Sequence, residues 1–121
     1  MPRYSSVSQG RLDTCIPELR LVFNEVILVK DCSILCGHRG MNEQQRLFRT
    51  GKSQLDWPES KHNSFPSRAV DVVPYPVDWE DLLDFEILAA IAFEIAQKKG
   101  IALEWGGNWK SFKDYPHWQV P

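Results

Sequence analysis

A chain of 121 residues, 43% apolar and 25% charged, has the make-up of a folded globular domain with one core, and is too short for two. Its net charge of −2 gives no electrostatic case for nucleic acid or an anionic membrane surface. No stretch approaches the roughly 20 apolar residues that span a bilayer, and the polar start "MPRYSSVSQGRLD" lacks the apolar centre of a secretory signal; a cytoplasmic origin is therefore expected.

In chain order, the first 28 residues read as helix in two pieces. Leu12 belongs to a short opening turn, and Pro17 sits at a first helical position, where a missing N–H costs little. Leu19, Val22, Phe23 and Val26 then recur at helical spacing. "CSILC" is a strand candidate. Asn42 and Gln45 resemble a capping box for a helix that Gly51 closes. "SRAVDVV" alternates as a strand does. Asp78 is placed to cap the longest helix, Trp79 to about Lys98, with an inward stripe of Phe85, Leu88, Ile91, Ala92 and Ile95. Gly100 ends it, "IALEW" reads as a strand and "HWQV" as a last short one. The sum is a small α+β domain, residues 1–121, with helices covering one side of an antiparallel sheet.

Cys15, Cys32 and Cys36 are an odd number, which argues against a disulfide framework. Cys32, Cys36 and His38 have metal-ligand chemistry but lack a second pair. "CSILCG" reads instead as a buried strand in which cysteine serves as a small hydrophobe.

Chemistry concentrates in "SKHNSFPSRAVDVV" and "KDYPHWQV". Strand alternation puts Val70 and Val72 on one face and Ala69, Asp71 and Val73 on the other. An aspartate in mid-strand is disfavoured and, if buried, needs a partner or a metal; an exposed face or a salt bridge to an arginine such as Arg68 is the bland alternative. In the last strand Trp118 and Val120 point one way, His117 and Gln119 the other. His62, Asp71 and His117 form a ligand set suited to zinc, with a fourth position left for water. Asp114, three residues before His117, is suited to pass a proton from that water to a leaving amine.

These segments resemble a known family. "SKHNSFPSRAVD" and "DYPHWQ" are similar to the two metal-binding motifs of the zinc peptidases that include D-alanyl-D-alanine carboxypeptidases and phage L-alanyl-D-glutamate endopeptidases. "CGHRGMNEQQRLF" resembles that family's G-x-R-x-x-x-E-Q-x-x-L segment, and "WGGNWKSFKDYPHW" the tail of its small phage endolysins. The resemblance implies a hedgehog/DD-peptidase-like fold with a zinc site on the open face of the sheet. Zn2+ would be held by His62, Asp71 and His117, with Asp114 as catalytic acid and base. Arg39 would stabilise the carbonyl oxygen or anchor a substrate carboxylate, Gln44 would support Arg39 or line the cleft, and Ser60 would brace the ligand loop. Trp109, after "GGN", is the expected cleft wall. Asp71 follows His62 by nine residues, further than the family's usual spacing. Pro66 and Ser67 read as the extra pair, in a loop expected to bulge outward.

The expected activity is hydrolysis of peptidoglycan stem peptides between L-alanine and D-glutamate, in host cell lysis by a bacteriophage endolysin. The runner-up is D-alanyl-D-alanine cleavage. A non-catalytic wall-binding or tail module is the rival from another class, and a zinc site serving only folding is a third reading, disfavoured by three ligands rather than four. No nucleic-acid or membrane partner is expected. The enzyme is expected to be a monomer that accumulates in the host cytoplasm and reaches the wall once another protein permeabilises the membrane.

Overall fold

The computed structural model describes residues 2–121. Helix α1 (Ser6–Leu12) starts at Ser5, whose side chain accepts the Ser8 N–H. Helix α2 (Pro17–Val29) has its proline in the first turn and buries Leu19, Val22, Phe23, Val26 and Ile27. Strand β1 (Cys32–Cys36) leads to helix α3 (Met41–Arg49) and, after a long loop, to a 3-10 helix at Lys61–Asn63. Strand β2 (Ala69–Pro74), helix α4 (Leu82–Lys99), strand β3 (Glu104–Trp105) and strand β4 (His117–Gln119) complete the order. The sheet runs β1-β2-β4-β3, each neighbouring pair antiparallel. No helix among the described residues is long and apolar enough to cross a membrane. The α+β expectation holds.

Register explains how one sheet carries both a core and a site. Val70 lies opposite Trp118, Trp118 opposite Trp105, and Val72 opposite Ile34. These side chains form the apolar face, and Trp118 meets Phe23 and Phe93 edge-on. Burying each aliphatic side chain of this kind contributes roughly 1.5–3 kcal/mol. On the opposite face Asp71 is aligned with His117, and Ala69 with Gln119. On its other side Asp71 is aligned with Cys36, because β1 shifts register between Ile34 and Cys36. Two residues of β1 there oppose one of β2, an irregularity of the kind that re-aims side chains beside a site. Leu35 is left exposed, and Cys36, Asp71 and His117 form one row across three strands.

Several expectations change. Gly40, not Asn42, precedes α3, and no side chain caps that helix. Asp78 accepts the Glu80 N–H in a turn, while Asp81 caps α4 by accepting from Asp84. The helix begins at Leu82 because the chain is still turning through Trp79 and Glu80. Its buried stripe is Phe85, Leu88, Ala89, Ala92 and Ala96; Ile91 and Ile95 flank it, half-buried. "IALEW" shortens to two strand residues, Glu104 and Trp105, paired with Gln119 and Trp118 of β4. The ends expected at Gly51 and Gly100 are present, both glycines having positive φ.

Candidate functional site: a two-histidine, one-aspartate cluster in an open cleft

His62 is fixed before it meets anything else. Ser60 caps the 3-10 helix, its side chain accepting the His62 N–H, while Asn63 reaches back to the Ser60 N–H. The imidazole Nδ1 lies 2.7 Å from the Gly37 carbonyl oxygen, to which Nδ1–H donates. Gly37 is a glycine of necessity: an added Cβ would lie 2.2 Å from the Arg11 carbonyl oxygen. With Nδ1 so engaged, Nε2 points at Asp71 Oδ1, 3.3 Å away.

His117 is oriented the same way from β4. Its Nε2 is 2.7 Å from Gln119 Oε1, and the Gln119 amide donates in turn to Glu104. Its Nδ1 is left facing Asp71 Oδ1 at 3.4 Å and Asp114 Oδ2 at 3.9 Å. The two imidazole centroids are 5.2 Å apart. Each histidine thus donates one ring N–H away from the cluster and presents the other nitrogen to a single carboxylate oxygen. This is the arrangement that makes an imidazole a well-aimed ligand.

Two buried atoms, His62 Nε2 and Asp71 Oδ1, have no hydrogen-bond partner. Leaving a carboxylate oxygen unsatisfied is costly, so a cation or a proton belongs between them. Ligand atoms of Cys36, His62 and Asp71 lie within 4.8 Å of one another, as do those of Asp71, Asp114 and His117. The two sets meet at Asp71, and the donor types suit a divalent transition metal.

The charges of the cluster also bias its protonation. Burial opposes charge on His62, but contact with Asp71 and Cys36 outweighs it and pushes the imidazole up to about 10. Burial likewise opposes charge on Asp71, yet His117 and His62 hold its carboxyl well below the usual range. Asp114 moves the other way: burial and the Asp71 charge raise it, which favours holding a proton nearer neutrality. Its loop is held by Gly106, whose carbonyl accepts the Asp114 N–H; an added Cβ there would lie 2.3 Å from the Asp114 carbonyl oxygen.

Arg39 Nη2 stands 3.6 Å from Asp71 Oδ2 and Nη1 donates to Gln44 Oε1 at 2.9 Å. Gln44 is fully buried and donates onward to Ser53 Oγ and the Leu55 carbonyl. Trp109 packs against the His117 ring at 5.2 Å. Arg39, Ser60, His62, Asp71, Trp109, Asp114 and His117 all line one open cavity of about 850 Å³, whereas Gln44 lies behind Arg39. Arg68 does not pair with Asp71, since it bonds the Pro121 carbonyl instead; the arginine beside Asp71 is Arg39.

Two sequence expectations are corrected. Cys36 does not stay a core thiol like Cys32; it is half-buried beside the cluster, because the register shift turns it toward Asp71. The loop after His62 does not simply bulge outward. Phe65 and Pro66 are exposed, but Ser67 is fully buried, bonding the Ala69 and Gly37 carbonyls. The residues that sequence reasoning missed are the supports: Gly37, Gln119 and Glu104. The shared strand face of His117 and Gln119 was the available signal for Gln119. Nothing local pointed to Gly37, whose partner is 25 residues away.

Comparison with known proteins gives the family of the chain and matches its fold. The family described as phage L-alanyl-D-glutamate peptidase matches residues 1–119. The L-alanyl-D-glutamate peptidase of Escherichia phage T5 is 32% identical over 119 aligned positions, covering 93% of this chain and 85% of that protein. The peptidoglycan L-alanyl-D-glutamate endopeptidase CwlK of Bacillus subtilis is 32% identical over 107 positions, covering 74% of this chain and 60% of that protein. The crystal structure of the Serratia marcescens L-Ala D-Glu endopeptidase ChiX superposes with a TM-score of 0.85 at 32% identity, covering 99% of this chain and 91% of that one. The chain belongs to the phage L-alanyl-D-glutamate peptidase family.

Proposed function

We propose that residues 1–121 act as a single, monomeric zinc peptidase domain that cleaves peptidoglycan stem peptides between L-alanine and D-glutamate. The observation that carries the reading is Asp71 Oδ1, faced by two imidazoles whose other nitrogens are already committed. His62, Asp71 and His117 would hold the ion. Zinc so bound supplies a positive charge that acidifies water toward a pKa of about 7 and polarises a carbonyl.

This chain's residues do the rest. Asp114, with its raised pKa and its place in the cavity, takes the proton from the attacking water and returns it to the departing amine. Arg39 offers a guanidinium to the carbonyl oxygen as negative charge develops there, or to a substrate carboxylate, and Gln44 keeps its fork oriented. Ser60 fixes the backbone of His62, and Trp109 walls the cleft beside His117. No covalent intermediate is needed. In a lytic phage cycle the enzyme would meet the cell wall after another protein permeabilises the membrane.

Digestion of purified peptidoglycan, with new termini identified by mass, tests the reading. New glutamyl amino ends and alanyl carboxyl ends are expected, and chelation should abolish them. Release of free D-alanine alone would mean carboxypeptidase action, and no products at all would favour a binding module. Asp114→Ala should retain zinc and lose activity by about 10²–10⁴-fold; ordinary turnover in that variant would remove Asp114 from its role.

A further inference from the structure

The cleft is cationic in an acidic protein. Arg39, Lys52, Lys61 and Lys113 line it against Glu59, Asp71 and Asp114, a surplus of one positive charge that a divalent ion would raise to three. The chain as a whole carries −2. Arg39 is engaged with Asp71 and Gln44. Lys113 donates to the Gly107 carbonyl. Lys61 differs from both. It is half-buried, it lines the cavity, and it has no carboxylate within ion-pairing distance among the described residues. Its backbone is held as tightly as that of His62, next to it in the capped 3-10 helix, and its carbonyl accepts the Arg68 N–H. A half-buried lysine without a carboxylate partner, lining the cavity from a rigid turn next to His62, is arranged to receive an anion.

The chemistry of the bond in the proposed function supplies one. A glutamyl residue on the amine side of the scissile bond has two carboxyl groups, and at most one of them continues the peptide. At least one free carboxylate therefore lies within a few bonds of the departing nitrogen. We propose that Lys61 is a specificity-determining residue that pairs with this free glutamyl carboxylate, so that the enzyme discriminates against substrates in which it is a primary amide. The inference rests on the proposed peptidase reading. A charged lysine–carboxylate contact is stronger than any lysine makes to a neutral amide, whose oxygen is a weaker acceptor.

The test uses two synthetic stem peptides that differ only in carrying a free carboxylate or a primary amide at that position. The whole zinc-loaded enzyme should favour the carboxylate peptide by roughly ten- to a hundredfold in kcat/KM. In Lys61→Met the preference should collapse toward unity, chiefly through a higher KM for the carboxylate peptide, with zinc content unchanged. Lys61→Arg, which keeps the charge, should restore most of it and separates charge recognition from a folding defect. A preference that survives in Lys61→Met overturns the proposal, as does a wild-type enzyme that cleaves both peptides equally. Failure to cleave either peptide would instead overturn the peptidase reading itself.

Discussion

On one face of β2, Val70 and Val72 meet Trp118 and Ile34 in a dry layer backed by Phe23 and Phe93; on the other, Asp71 stands among two imidazoles and a guanidinium. The first face is held by many apolar contacts, so loss of one side chain costs its transfer share plus the cavity it leaves. The second takes a carboxylate largely out of water at a cost of several kcal/mol, offset only by its partners acting together. Losing any partner leaves an uncompensated charge. One strand therefore carries both a layer that degrades gradually and a cluster that fails as a unit.

Substitutions can break this contrast or sharpen it. The largest effect is expected for His117→Ala, which should lower activity about a thousandfold or more and reduce bound zinc, measured by metal analysis. Leu88→Ala, on the core side of α4, should cost about 2–5 kcal/mol in urea unfolding with zinc stoichiometry unchanged. If it emptied the metal cluster as His117→Ala does, the two faces would not be separable. Gln119→Ala should be mildest: the fold persists, while zinc affinity in competition titrations falls by roughly 10–100-fold, because the His117 Nε2–H loses its acceptor.

The same contrast governs what could be read from the sequence. Alternation in "AVDVV" and "HWQV" was enough to turn Asp71 and His117 away from the core, because period-two patterning survives wherever one face is apolar. Helix ends marked by Pro17, Gly51 and Gly100 were equally legible, since each reflects a backbone constraint carried by one residue. What was hidden depends on pairing between distant segments. The register shift that brings Cys36 opposite Asp71 has no local signature in "CSILCG". Gly37 carries no local mark of its role until Arg11 is seen pressed against it. Ser67 reads as a polar loop residue, yet its buried hydroxyl reaches the carbonyl of Gly37, 30 residues away. The start of α4 was misplaced because Asp78 and Asp81 are both good caps, and only the path of the chain decides between them.

Titrating the metal-free protein with zinc across pH reads out the proposed cluster of His62, Asp71 and His117. Because the His62 pKa is raised in the metal-free fold from 6.5 to about 10, the proton on His62 stabilises that fold fully below 6.5; the contribution is lost as pH climbs toward 10. Zinc must displace the same proton, so binding should release it and tighten by up to about tenfold per pH unit between pH 6.5 and 8. The account predicts one zinc per chain with that slope, and no high-affinity site in Asp71→Ala. Stoichiometric binding that ignores pH, or persists undiminished in Asp71→Ala, would contradict it.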